Sequence, residues 1–271
     1  MRLDLATVAG IVLALGGIGW GLVLEGGSIG EIMQPTAALI VFGGTFGATL
    51  IAQPLGEAFG ALKSLAAVVI GRKDDLARTI DLLLELSFEA RRAGIISVEK
   101  RVNEIKDPFT RRTLSLAVDR VDVRDIREIM ESQIEHTLER REAEARVFET
   151  AGGFAPTIGI IGAVLGLIQT MKHLDNIDEV GHGIAVAFVA TIYGVGVANI
   201  LLLPAAKKIV ARAEAEARRQ RMTLEGAIAL AQGVNPRLIR ARLEVFLRAP
   251  SKAPKETAAA AAEGAPRPAE V

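Results

Sequence analysis

The sequence predicts an all-α integral membrane protein with four transmembrane helices and a large helical cytoplasmic domain between spans two and three. Three observations predict it. Half of the 271 residues are hydrophobic and the mean hydropathy is positive, yet 24% of them are charged. Those facts are compatible only if charged and apolar residues are segregated along the chain, and they are: four runs carry almost no charge and approach the roughly 20 residues that a bilayer-spanning helix needs. Outside those runs the chain is strongly charged, with apolar residues at helical spacing.

Composition also excludes. The formal net charge is zero, so nothing points to a polyanionic partner such as nucleic acid. The absence of cysteine rules out disulfides, thiol catalysis and thiolate clusters. His136, His173 and His182 lack the spacing of a metal site. No phosphate-binding loop, G-x-S-x-G or H-E-x-x-H occurs, so neither an enzyme nor a cofactor is expected.

The first hairpin occupies residues 1–53. Its first run, Leu3–Leu24, is longer than a signal-peptide core and is followed by Glu25-Gly-Gly-Ser rather than a small-residue cleavage site. Trp20 lies near its far end, where an amphipathic ring suits the interface. The second run, Thr36–Ile51, begins after Pro35 and ends before Pro54. Within it Gly43 and Gly47 have the small-xxx-small spacing that lets membrane helices approach closely.

Residues 54–150 form the cytoplasmic helical domain. Ile80, Leu83, Leu84 and Phe88 mark one helix, with Asp74-Asp75 at its start and Gly94 at its stop. Asp107-Pro108 opens a second helix, with the Asp as cap and the Pro at the first position. Asp122 caps a long third helix that continues directly into the next span. The second membrane hairpin, 151–204, holds the apolar runs Phe154–Met171 and Ile184–Leu203. Beyond Pro204, charged helices fill 205–248, one of them starting at Asn235-Pro236, and 249–271 reads as a disordered tail.

Lys and Arg set the orientation. The links Glu25–Pro35 and Lys172–Gly183 contain none and one, whereas Pro54–Thr150 has seventeen and the segment after Pro204 thirteen. Both basic segments, and with them both termini, are expected in the cytoplasm, which places the protein in a bacterial inner membrane once the resemblance below is added.

The two apolar runs of the second hairpin carry small or uncharged polar groups only, Thr157, Gln169, Thr170, Thr191, Tyr193 and Asn199, among several glycines. Pro156 and Pro204 stand near one end of each run. A proton or cation crossing the bilayer usually needs a carboxylate at mid-membrane, and neither run has one, so an ion-conducting role requires a partner that brings it. From pattern alone a plainer reading stays open: Thr191 bonds back to its own helix and the glycines only pack.

Two stretches resemble the signature of the motility protein A family, the flagellar stator subunit MotA and its sodium-type relative PomA. They are Phe148–Ile168 (FETAGGFAPTIGIIGAVLGLI) and Gly183–Asn199 (GIAVAFVATIYGVGVAN). Val41-Phe-Gly-Gly-Thr45 is similar to that family too, and the likeness spans residues 1–248. It implies a rotary ion channel in which five copies surround two copies of a single-span B subunit whose Asp carries the ion. Thr191 matches the threonine that faces this Asp. Pro156 and Pro204 match the prolines where the spans meet the cytoplasmic helices, expected to couple conformation to torque. In Ala90–Glu99, Arg91 and Glu99 fall on the two charged positions of the rotor-contacting stretch; without the resemblance they read as a solvated surface. Sodium-type relatives carry a threonine at the position of Ala163. An alanine methyl supplies no oxygen ligand, so the transported ion is expected to be a proton rather than sodium. The competing readings are a TolQ- or ExbB-like subunit energising an envelope complex, which the extra first hairpin disfavours, and a non-conducting membrane scaffold.

Overall fold

A computed structural model describes residues 2–71, 76–172 and 174–247. The Asp74-Asp75 helix start, His173 and the 249–271 tail lie outside the described residues. Apart from a two-residue antiparallel pairing of Arg2–Leu3 with Ile70–Gly71, every described element is helical. Four helices are long and apolar enough to cross a membrane: Leu5–Leu24, Pro35–Ala52, Val123–Lys172 and Ile177–Ala231. The chain is a multi-pass membrane protein, as the segregation of charge predicts.

The chain divides into two compact units, Met1–Asp74 with Glu131–Ala217, and Asp75–Met130 with Arg218–Val271. These cuts differ from the expected 54–150 boundaries for a local reason. Helix α9 (Val123–Lys172) and helix α11 (Leu203–Ala231) run through the places where the sequence changes from charged to apolar. Residues 54–71 and 131–150 therefore cluster with the spans, and residues 218–247 with the second unit.

In the first unit, α1 (Leu5–Leu24) is capped by Asp4, which accepts from the Thr7 N–H at 3.2 Å. The Asp4 carboxylate also meets Lys208 Nζ and Arg212 Nη2, both at 2.6 Å, and Lys208 reaches the Thr7 hydroxyl as well. The bonds from Lys208 and Arg212 hold the Asp4 carboxyl well below the usual carboxylate range. Span two is built from α2 (Ile29–Ile32), a turn, α3 (Pro35–Ala38), a π-helical turn (Leu39–Gly43) and α4 (Gly44–Ala52). It packs on span four through Ala37 and Val41 against Val186, Val189 and Ala190. Gly43 and Gly47 face open space in the chain. It is Gly44 that lies close, a Cβ there falling 2.7 Å from Ile158 Cγ2. Within the chain, the close small-residue contact of span two is thus at Gly44, between the two expected glycines. The π turn leaves the buried Thr45 hydroxyl without a protein partner among the described residues, whereas Thr49, in regular helix, donates to the Thr45 carbonyl at 2.7 Å.

Helix α5 (Leu55–Val69) follows Pro54 and packs by Ala61 on Ala145, Val147 and Phe148 of α9 and Ala205, Ala206 and Ile209 of α11. Ser64 of α5 donates to the buried Glu144 carboxylate, which also pairs with Arg141 at 2.8 Å.

The second unit assembles α6 (Leu76–Ala93), α7 (Glu99–Asn103), α8 (Pro108–Val118), the ends of α9 and α11, and α12 (Pro236–Glu244). Its core is Leu83, Leu86, Val98, Leu114, Met222, Ile239 and Leu243, each at most 1% exposed. Gly94 stops α6 with φ +91°, a backbone region that L side chains rarely adopt. Asp107 caps α8 with Pro108 in its first turn, and Asn235 caps α12, both as the sequence predicts.

Candidate functional site

Lipid supplies no hydrophobic drive to bring two helices together, so membrane helices associate where small residues let backbones touch. On α9 the small residues Ala155, Gly159, Gly162, Gly166 and Thr170 fall on one face at spacings of three and four. On α10 (Ile177–Gly196), Gly183, Ala187, Ala190 and Gly194 do the same. The two faces meet antiparallel. A Cβ on Gly194 would lie 2.5 Å from the Ala155 carbonyl oxygen, and one on Gly159 would lie 2.9 Å from that of Ala190. At the other end a Cβ on Gly166 would come within 2.9 Å of the Gly183 carbonyl and the Ala187 nitrogen. These neighbours are backbone atoms, which no rotamer change moves aside.

Thr191 sits beside this ribbon, half-buried. Its hydroxyl donates to the Ala187 carbonyl at 3.3 Å, so the back-bond of the plainer reading is present. A hydroxyl that donates in this way keeps its lone pairs as acceptors. A Cβ at Gly159 would stand 3.5 Å from the Thr191 Cα. Ala163 lies one turn further along α9, half-buried, next to Gly162, whose Cβ would meet that of Ala190 at 2.8 Å. The structure therefore places Thr191 and Ala163 along the same helix contact.

Pro156 lies inside α9, half-buried, directly after Ala155. Pro204 is exposed in the first turn of α11 and follows a π-helical turn, Val197–Leu202, closed by a bond from the Leu203 N–H to the Ala198 carbonyl. Proline has no N–H to give the carbonyl four residues back, and the widened turn absorbs that break. Gly152, one turn before Pro156, packs on Leu202 and Leu203, just before Pro204. The two prolines thus stand at neighbouring levels of the hairpin.

Arg91 and Glu99 belong to the second unit, on either side of the Gly94 turn. Both are exposed, and neither forms an ion pair among the described residues. Arg91 borders a cavity of about 540 Å³ floored by Ala90, Ile95, Val121 and Leu230. Nearby Arg101 clasps Glu85 at 2.7 Å and Glu89 at 3.0 Å, which fixes α7 against α6.

The long-range partners of three further polar groups escape a reading of the sequence. Glu144 is 6% exposed and paired with Ser64 and Arg141. Arg219 forks onto Asp107 at 3.2 and 3.3 Å. Burial pushes the Asp107 carboxyl up, but bonds from Thr110 and the Arg219 charge outweigh it and hold it below its usual range. Tyr193 donates to the Ile32 carbonyl at 2.6 Å. Only Asp107 carried a signal, its capping position; the others depend on partners far along the chain.

Four spans, the last two packed backbone to backbone and continuous with charged helices, define a multi-pass helical membrane protein. Residues 101–222 match the MotA/TolQ/ExbB proton channel family, and residues 8–94 match the motility protein A N-terminal region. Motility protein A of Bacillus subtilis is 35% identical over 91% of this chain and 92% of its own length. The structure superposes on that of C. jejuni MotAB with a TM-score of 0.87 at 33% identity, over 92% of this chain and 98% of that one. It superposes on the flagellar MotAB stator complex of Bacillus subtilis with a TM-score of 0.82 at 33% identity, over 90% and 96%. The chain belongs to the motility protein A family. The N-terminal match covers the first hairpin, the part that a TolQ- or ExbB-like reading leaves unexplained.

Proposed function

We propose that the chain is the A-type stator subunit of a bacterial flagellar motor and forms, with a B subunit, a channel that turns ion flow into torque. The observation that carries this reading is the coincidence of two patterns. The stretches most like the family's signature fall on a pair of spans whose backbones touch, and those apolar runs hold no carboxylate. A single-span B subunit would supply the missing Asp, in an assembly of five A and two B chains.

The physics of such a channel follows from its parts. One charge crossing the membrane releases about 2.3 kcal/mol per 100 mV. A carboxylate in an apolar seam is costly when charged, so its protonation biases how the surrounding A chains pack. Thr191 offers that carboxylate a hydroxyl without adding charge. Pro156 and Pro204 weaken helical bonding where the spans leave the apolar zone, and relative motion costs less there. Arg91 and Glu99 present unpaired charge to a rotor switch protein. Ala163 contributes no oxygen, which favours a proton over sodium. The protein would lie in the inner membrane with both termini cytoplasmic, acting as a channel subunit and not as an enzyme.

The test is swimming speed against external sodium at fixed proton-motive force, in a strain with only this stator. Speed independent of sodium, resistance to amiloride-class blockers and arrest by Thr191→Ala are the expected results. A steep sodium dependence overturns the proton assignment. Failure to restore swimming with any B subunit overturns the stator reading. Cysteines at Ser28 and Asn176 should label from outside intact cells, and one at Ser115 should not.

A further inference from the structure

Tyr193 is the only tyrosine of the chain. Its phenol lies two residues beyond Thr191 on the fourth span and reaches across to the start of span two. There the backbone leaves the helix between α2 and α3: Met33 is non-helical with ψ 80°, and Gln34 is extended with ψ 103°. Non-helical backbone beside a membrane span must be held by protein groups, since lipid offers no hydrogen bonds. The Tyr193 hydroxyl donates to the Ile32 carbonyl at 2.6 Å and accepts a longer contact from the Gln34 N–H at 3.4 Å. Its ring stacks on Phe42 with centroids 5.9 Å apart. Phe42 belongs to the π turn of span two, and Ala37 and Val41, just before it in the same span, pack on Val186, Val189 and Ala190. The upper half of span two is thus seated on span four by apolar contacts, with a polar tie at Tyr193.

The helical screw gives this tie its consequence. Successive residues of an α-helix are turned by about 100°, so Thr191 and Tyr193 point about 200° apart, to nearly opposite sides of α10. Any rotation of α10 about its own axis that re-aims Thr191 must swing Tyr193 out of its bond with Ile32. We propose that Tyr193 is a positioning residue for ion passage: its bond to the Ile32 carbonyl fixes the rotation of the fourth span, and with it the direction in which Thr191 faces. This rests on the channel reading above. It adds that the first hairpin acts as a fixed stop for the ion-path helix, a role separate from anchoring in lipid.

Tyr193→Phe removes the hydroxyl and keeps the ring. In the complex with its B subunit, ion flux per assembled complex should fall by up to about five-fold, the factor that the net worth of one hydrogen bond sets. The amount and stoichiometry of assembled complex should not change. Equal flux in Tyr193→Phe and wild type overturns the proposal, as does a loss seen in Tyr193→Leu but not in Tyr193→Phe, which would leave only ring packing. A wild-type complex that passes no ions overturns the channel reading instead. A second measurement leaves the sequence intact. Ring-labelled tyrosine isolates the C–O stretch of this one phenol in the full-length chain in lipid discs. The band of a strong hydrogen-bond donor is expected, and that of a free hydroxyl overturns the proposal.

Discussion

The two units are held together by opposite means. In the first, the third and fourth spans meet through glycine and alanine, and a Cβ added at Gly194 would lie 2.5 Å from backbone oxygen. In the second, the core is Leu83, Leu86, Leu114, Met222, Ile239 and Leu243, side chains that exclude water from a large apolar surface. The solvent explains the difference. Burying a leucine gains much from water and almost nothing from lipid, so a membrane interface relies on dispersion between closely packed backbones. Each unit is therefore vulnerable where the other is tolerant.

The sharpest way to break this comparison is to change one side chain in each unit. Gly194→Ala places a methyl against backbone, so the assembled complex should vanish from size-exclusion profiles and swimming with it. Normal assembly by that variant would mean that the spans are not held by close approach. Leu83→Ala acts by the other mechanism, creating a cavity in the second unit at a cost of about 2–5 kcal/mol. Thermal melts of the purified complex should show the loss, while the membrane hairpin still assembles.

A smaller effect tests one ion pair of the second unit by pH. The folded-state pKa of Asp107 lies below its unfolded value, so its stabilisation is complete above the unfolded carboxylate range and drains as pH falls through the folded value. Melting temperatures measured down a pH series should decline for wild type and decline less for Asp107→Asn, which keeps a capping oxygen but has no charge for Arg219. The smallest effect belongs to Gly226→Ala. Its new Cβ would lie 2.6 Å from Leu83 Cδ1, the end of a flexible side chain that can turn away. A loss of at most about 1 kcal/mol is expected, because the gain of about 0.5–1 kcal/mol from replacing a mid-helix glycine offsets part of the overpacking. Charge reversal at Arg91 or Glu99 should leave melting unchanged, since both are exposed and unpaired, and should alter swimming alone.

What could be read from the sequence was what local rules decide. Span lengths, the caps at Asp107 and Asn235, the stop at Gly94 and the helices running on through Phe154 and Pro204 each depend on a few neighbouring residues. The π turns at Leu39–Gly43 and Val197–Leu202 could not be read, because one widened turn barely disturbs a helical apolar pattern. Gly43 and Gly47 stood out by their spacing, whereas Gly44 makes the contact. Glu144 with Ser64 and Tyr193 with Ile32 join residues 80 and 161 positions apart, which no periodicity encodes. At the candidate site, Thr191, Ala163, Pro156 and Pro204 stood out by resemblance. The backbone contact of α9 and α10 beside them was legible only as glycine content.

The Asp4 cluster bears on how the protein is made. Asp4 pairs with Arg212, 208 residues later. At roughly 5–20 residues per second, a ribosome takes about 10–40 seconds to reach that partner. Through this interval the Asp4 carboxylate has its cap bond to Thr7 but neither of its cationic partners. The clasp is thus a late event in folding: it can form only after the fourth span and the start of the basic helix behind it have been made, and a chain truncated before Lys208 would leave Asp4 without either cation.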